Sequence, residues 1–358
     1  MLGNSEIEEA TLGLGRHTAA WFEQAPPPDD DGEVLIIQFD SKATPTATAQ
    51  ELKKRRGKRR PNPFPQSKRH RGRQRRTERG KKKRRNKGDK SKNGKMTTLV
   101  TMYTLRRGVG PDGQPALLGP VNQWHYASYA PKRHAFAIAR READKRGFVR
   151  PPDTLSPLRP SDTTLQVLTD GDADLERLVA EFFPEATHTN DIHCIEYLWK
   201  AGAYLYKEGS DALARWVEAR KKELYRGHAW EMLETMNQAS TRIRSDKRRE
   251  QYGKLLDYLI ARADRMNYHE LRAADLELGT GAVEGAVRYV VSQRFDEGGM
   301  RWIRERAEAL LQLRCIQING DWERFLAFAH ERTRSESRHH ATLLRAQPEP
   351  LPVLGLAA

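Results

Sequence analysis

The chain has 358 residues, of which 37% are hydrophobic and 31% charged, and its formal net charge is +15. That length is enough for one large or two ordinary domains. The charge is concentrated: Leu52–Lys95 holds 23 Lys and Arg against Glu78 and Asp89, a net +21, and the remainder sums to −6. The sequence has no run of about 18 apolar residues, its start is acidic, and Cys194 and Cys315 are its only cysteines, so a membrane span, a secretory signal, a disulfide framework and a Cys-type zinc site are all unexpected. A reducing, cytoplasmic setting is expected by default.

Residues 1–32 are weakly patterned and end in Pro26-Pro27-Pro28 and Asp29-Asp30-Asp31-Gly32, which reads as a linker. Val34–Phe39 is a short apolar run ending at Asp40, the pattern of a strand buried on both faces. The basic segment over 52–95 follows. Its glycines, prolines and scarcity of aliphatics predict disorder without a partner. A +21 segment implies an anionic polymer, since Lys and Arg displace counterions from phosphates. Sequence-independent contact with DNA phosphates is the expected role of Lys53, Lys54, Arg55, Arg56, Arg59, Arg60, Arg75, Arg76, Lys81, Lys82, Lys83, Arg84 and Arg85. The rival readings are a solvated charge run and a nuclear-import signal.

Thr97–Arg106 and Val121–Tyr129, joined through the turn signal Gly110-Pro-Asp-Gly113, read as a long hairpin. A helix is expected from Pro131 to near Gly147, then a proline-rich connector. Thr164–Thr169 reads as a second short buried strand ending at an aspartate, Asp170. A helix with Leu175, Val179 and Phe182 on one stripe follows, then a short strand over Ala186–Thr189 and a helix over His193–Lys207. Residues 211–276 show helical spacing throughout, and two further helices are expected over Thr280–Phe295 and Trp302–Ile316. This order predicts an α/β chain with a mixed sheet flanked by helices. One core over 33–330 is expected, with a helical insertion over 208–278 and a loose tail over 331–358.

Asp40 and Asp170 share a pattern, each ending a short buried strand and preceding a small residue. If the two strands are parallel neighbours, the two carboxylates lie about 5 Å apart across the ladder. Such a pair is repulsive until a cation neutralises it, and hard oxygen ligands favour Mg²⁺ or Mn²⁺. The blander alternative is two ordinary turn aspartates. The run Asp170-Gly-Asp-Ala-Asp174…Glu181 imitates a calcium-binding loop, but Leu175 stands where its sharp turn requires glycine. Asp172 is expected to cap the next helix instead. Glu284 falls in the first turns of a helix after a Gly-rich entry, either bordering an apolar surface or simply paired with Arg288 and the helix dipole. Trp199, Trp216, Trp230 and Trp302 suit stacking on bases or, the commoner use of helical tryptophans, the core.

Four segments together resemble a family: Val34-Leu-Ile-Ile-Gln-Phe-Asp40-Ser-Lys-Ala-Thr-Pro-Thr-Ala-Thr, Leu168-Thr-Asp170-Gly, His188-Thr-Asn-Asp-Ile-His193-Cys-Ile-Glu-Tyr-Leu-Trp199 and Gly279-Thr-Gly-Ala-Val-Glu284. They look like bacterial insertion-sequence transposases of the Asp-Asp-Glu class, close to the Mutator-like branch. The resemblance implies a ribonuclease-H-like core with an all-helical insertion before the glutamate. It implies that Asp40, Asp170 and Glu284 are the catalytic acids and hold two Mg²⁺ (or Mn²⁺) ions for DNA cleavage and strand transfer. It also implies DNA as partner (transposon ends and target), a nucleoid-associated place in the cytoplasm, and a homo-oligomer, although no heptad pattern shows. The sequence departs from the family at Ser41, where glycine is usual, and in the Asp-x-x-His pattern, where Asn190 takes the acid's place unless Asp191 substitutes with a one-residue shift. His193 is either an accessory residue orienting DNA or metal, or a structural helix start. The family's usual N-terminal end-binding region is expected to be missing, since only 39 residues precede Asp40. The alternative functions are a non-catalytic DNA-binding remnant and a ribonuclease-H-like nuclease.

Overall fold

A computed structural model of the chain describes residues 4–47, 94–149, 163–170, 172–190, 193–274, 276–296 and 302–345. In chain order the principal elements are α1 (Asn4–Gly15), α2 (Thr18–Gln24), β1 (Val34–Ala47), β2 (Gly94–Val109), β3 (Pro115–Ser128), α3 (Lys132–Lys145), β4 (Thr164–Thr169), α4 (Ala173–Phe182) and β5 (Thr187–Asn190). Then come α5 (His193–Leu205), α6 (Asp211–Tyr225), α7 (Ala229–Ala239), α8 (Asp246–Ile260), α9 (Tyr268–Ala273), α10 (Gly281–Ala286), β6 (Trp302–Ile303), α11 (Arg304–Ile318) and α12 (Trp322–Arg345).

The strands form one open, mixed sheet in the order β3-β2-β1-β4-β5, with β6 against the far end of β1. β1, β2 and β3 run antiparallel as a meander, and β4 and β5 continue the sheet parallel to β1. The central strand explains the unbroken apolar run, because Val34 to Phe39 are all fully buried, Gln38 among them. Alternation sends Leu35, Ile37 and Phe39 to one face, where Phe39 stacks on Phe136 of α3 with ring centroids 3.7 Å apart and planes within 4°. Val34 and Ile36 join Tyr103, Leu105 and Leu168 on the other face, against Leu276 and Ala282. The helical block behaves as expected from its spacing. It builds a separate core in which Leu198, Val217, Leu224, Met236, Tyr252, Leu259 and Tyr268 are buried together, and it is inserted between β5 and α10.

Several sequence expectations need correction. β1 does not end at Asp40 but runs on to Ala47, because β2 continues alongside it as far as Pro45 opposite Gly94. Only the ladder to β4 stops there. Residues 1–32 are not simply a linker. α2 buries Trp21 and Phe22, Phe22 meets Trp124 and Tyr126 edge-on, and α1 packs against α11. The stretch 331–345 is not loose but helical, while being almost wholly exposed. Its poor apolar content forecast a lack of burial, which is a different property from helix formation. Trp302 opens a short bridge to Thr46, not a helix, and the helix from Gly281 passes through a π-helical stretch, Val287–Ser292. The basic residues of 52–93 lie outside the described residues, and so do 346–358. Among the described residues no helix is long and apolar enough to cross a membrane.

Candidate active site

The parallel ladder between β1 and β4 runs from Val34 opposite Thr164 to Phe39 opposite Thr169. Asp40 and Asp170 are the next residues on each chain. Neighbouring strands lie about 5 Å apart, so the two residues stand side by side where the β1–β4 ladder ends. Each is half-buried. The Ser41 amide donates to Asp40 Oδ1 at 2.5 Å, and the Asp172 amide donates to Asp170 Oδ1 at 3.1 Å. The next turn is organised by Asp172, which caps α4 by accepting from the Asp174 amide at 2.8 Å and pairs with Lys132 Nζ at 2.7 Å. Burial raises the pKa of Asp172, but the Lys132 and Asp174 hydrogen bonds outweigh it and hold the carboxyl below its ordinary value. The helix-cap reading of Asp172 therefore stands.

β5 brings a third strand end to the same edge, with Asn190 opposite Thr169. Asp191 lies outside the described residues, and His193 is the first residue of α5. Behind this edge Thr169 Oγ1 meets His188 Nε2 at 3.0 Å. Burial, with Arg265 adding positive charge, lowers the His188 pKa to about 4 and keeps the ring neutral.

Glu284 arrives from far along the chain. It lies in the first turn of α10, exposed, with the Thr280 hydroxyl donating to its Oε1 at 3.4 Å. Two buried glutamines hold the approach to this helix. The Val283 amide donates to Gln38 Oε1 at 2.9 Å, and Gln38 Nε2 donates to Gly279 O at 3.3 Å and to Tyr103 Oη at 3.2 Å. One strand over, Gln166 Nε2 donates to Glu277 O at 2.7 Å and to Thr189 Oγ1 at 3.0 Å, while the Glu277 amide returns a bond to Gln166 Oε1 at 3.1 Å. By strand alternation Gln38 and Gln166 share a face with Asp40 and Asp170. Burial raises the pKa of Glu277, although the Tyr103 hydroxyl hydrogen-bonded to it pulls the other way.

The structure thus joins Asp40 to Asp170 at one sheet edge and anchors the start of the Glu284 helix on the same face. It does not gather the three carboxylates into a single tight cluster. Among the described residues no three His, Cys, Asp or Glu side chains converge to hold a metal ion. Asp40 and Asp170 are the pair that could hold a hard cation, and Glu284 lies on a helix whose start is bonded to the same face of the sheet. Of the tryptophans, Trp199 and Trp230 are 42% and 54% exposed, while Trp216 and Trp302 are half-buried. The sequence reading passed over Gln38 and Gln166. The signal was present as an amide inside each of two strands read as buried on both faces. No family model matches this chain, and no curated protein matches it.

Proposed function

We propose that this chain is a DNA transposase of the Asp-Asp-Glu class, with a ribonuclease-H-like sheet and a site that cleaves and rejoins phosphodiester bonds. One observation carries the reading. The parallel ladder ends with Phe39 opposite Thr169, so Asp40 and Asp170 stand next on adjacent strands. The sheet order and the helical lobe inserted before Glu284 support it.

In this reading Asp40 and Asp170 hold a divalent cation, Mg²⁺ or Mn²⁺, and Glu284 completes the set for two ions. Bound there, the ions supply charge neutralisation at the scissile phosphate and activation of the attacking oxygen. Phosphoryl transfer depends mainly on positioning and electrostatics, so the protein's own task is to hold three acids in a fixed frame. Asp40 and Asp170 are fixed by the ladder and by the amides they accept from. Glu284 is fixed through the buried contacts of the residues before it. The basic segment, inserted between β1 and β2, contacts DNA phosphates without reading sequence. A nucleoid-associated location and a homo-oligomeric assembly accompany the proposal.

The test is a strand-transfer assay in Mg²⁺ with a pre-cut end of the element and a plasmid target, comparing the wild type with Asp170→Asn. Joined product from the wild type alone is the expected result. Cleavage without joining would point to a nuclease, and binding without either to a DNA-binding remnant. Normal joining by Asp170→Asn would overturn the site assignment.

A further inference from the structure

We propose that Gln38 and Gln166 form a two-point amide clamp that positions Glu284 over the Asp40–Asp170 edge, an inference that rests on the reading of those three acids as the reacting set. Both side chains are fully buried on adjacent parallel strands. An amide in such a place is costly if its donors or acceptors are left unmet. Neither is left unmet, and the partners are instructive. Gln166 bonds both the N–H and the C=O of one residue, Glu277, as a neighbouring strand would. Gln38 takes the Val283 N–H and gives to Gly279 O. The chain from Glu277 to Val283 is therefore pinned at both ends to the two strands that end in the aspartates, and Glu284 is the next residue.

Apolar packing of Leu276 and Ala282 on the same face holds this segment against the sheet. Apolar contact is non-directional, however, and leaves sliding along the strands open. Hydrogen bonds are directional and fix the register of the segment against β1 and β4. Glu284 itself is exposed in the first turn of α10, one residue beyond Val283, so where its backbone sits depends on how the segment before it is held. A misplacement of about 1 Å at a reacting group costs on the order of 100-fold in rate. Gln38 and Gln166 touch no reacting atom in this scheme and are positioning residues.

The experiment uses the whole chain in three forms: wild type, Gln166→Met and Gln38→Met. Gln166→Met keeps the volume and removes both bonds to Glu277. It is expected to lower kcat for Mg²⁺-dependent cleavage about 10- to 100-fold at unchanged KM, and to lose amide-exchange protection over 277–286 while β1 and β4 stay protected. Gln38→Met keeps the volume and removes the bonds to Val283 N–H and Gly279 O. It is expected to show the same pattern, a lower kcat at unchanged KM and lost protection over 277–286. This second variant decides the matter if Gln166→Met fails to fold. Unchanged kcat and exchange in an active protein would overturn the clamp and leave the acid site standing. A fall in stability with kcat per folded molecule intact would reduce the glutamines to structural residues. An inert wild type would overturn the acid-site reading, and the positioning role with it.

Discussion

The Val283 amide donates to the side-chain oxygen of Gln38 across 245 positions of sequence, and this one bond ties the start of the Glu284 helix to the strand that bears Asp40. Asp40 and Asp170 follow the last pair of the β1–β4 ladder, and the chain before Glu284 is held by side chains reaching out of that ladder.

Two carboxylates side by side where the β1–β4 ladder stops repel each other, and a bound cation relieves the repulsion. Mg²⁺ or Mn²⁺ at ten times its Kd is expected to stabilise the wild type by about 1.4 kcal/mol. Asp170→Asn is expected to lose that response while matching or exceeding the metal-free wild type in stability. Thermal melts with and without the cation read this directly. An equal metal response in both proteins would move the cation elsewhere.

Asp40→Asn is expected to abolish Mg²⁺-dependent cleavage and leave DNA affinity unchanged or raised, because it removes a negative charge beside an anionic substrate. Cleavage gels and a binding titration on the same preparation make the comparison. A parallel loss of binding and cleavage would indicate a folding defect instead.

Phe39 and Phe136 are both fully buried and stacked beneath the strand that leads to Asp40. Phe136→Ala is expected to cost about 3–5 kcal/mol through lost burial and the cavity left behind. Urea unfolding measures it. A loss below about 1 kcal/mol would mean that α3 collapses onto the sheet without cost.

His125 and His188 are held neutral by burial, with pKa values lowered from 6.5 to about 4. Above about pH 6.5 neither folded nor unfolded chain binds the protons, and there is no effect. As pH falls from there toward 4 the unfolded chain takes up protons that the folded chain refuses, so stability is lost in that window. The expected loss at about pH 5 is on the order of 2 kcal/mol for each histidine. His125→Gln, which keeps a polar partner for Thr101 and Tyr289, is expected to shrink the difference between unfolding energies at about pH 7 and about pH 5. An unshrunk difference would remove His125 as its source.

Deleting 53–92 is expected to flatten the dependence of DNA affinity on salt, because counterion release scales with the phosphates neutralised. Gly94 and Lys95 should be kept, since they pair with Pro45 and Thr44 in the β1–β2 ladder. An unchanged slope would place the DNA-binding surface on the folded body.

Much of the sheet was legible in the sequence because strand signals are local. Val34–Phe39 and Thr164–Thr169 announced themselves by length, apolar content and a terminal aspartate, and the helical lobe by its spacing. α1 and α2 were missed because Trp21 and Phe22 are too few to set a period, and their burial depends on β3 and α12 lying nearby. The extent of β1 past Asp40 was hidden because polar residues such as Ser41, Lys42 and Thr44 are held in the strand by β2, a partner that lies beyond the basic segment in sequence.

The sequence by itself determined which acids follow the two buried apolar runs, that one segment is intensely basic, and that a helical block precedes Glu284. Those features are written in residue type and short-range pattern. Only the tertiary structure decided that β1 and β4 are parallel neighbours in a register that sets Asp40 beside Asp170, and that Gln38 and Gln166 reach out to hold the chain before Glu284. Register and side-chain reach depend on contacts between segments more than a hundred residues apart, and no local pattern encodes which partner a buried amide will find.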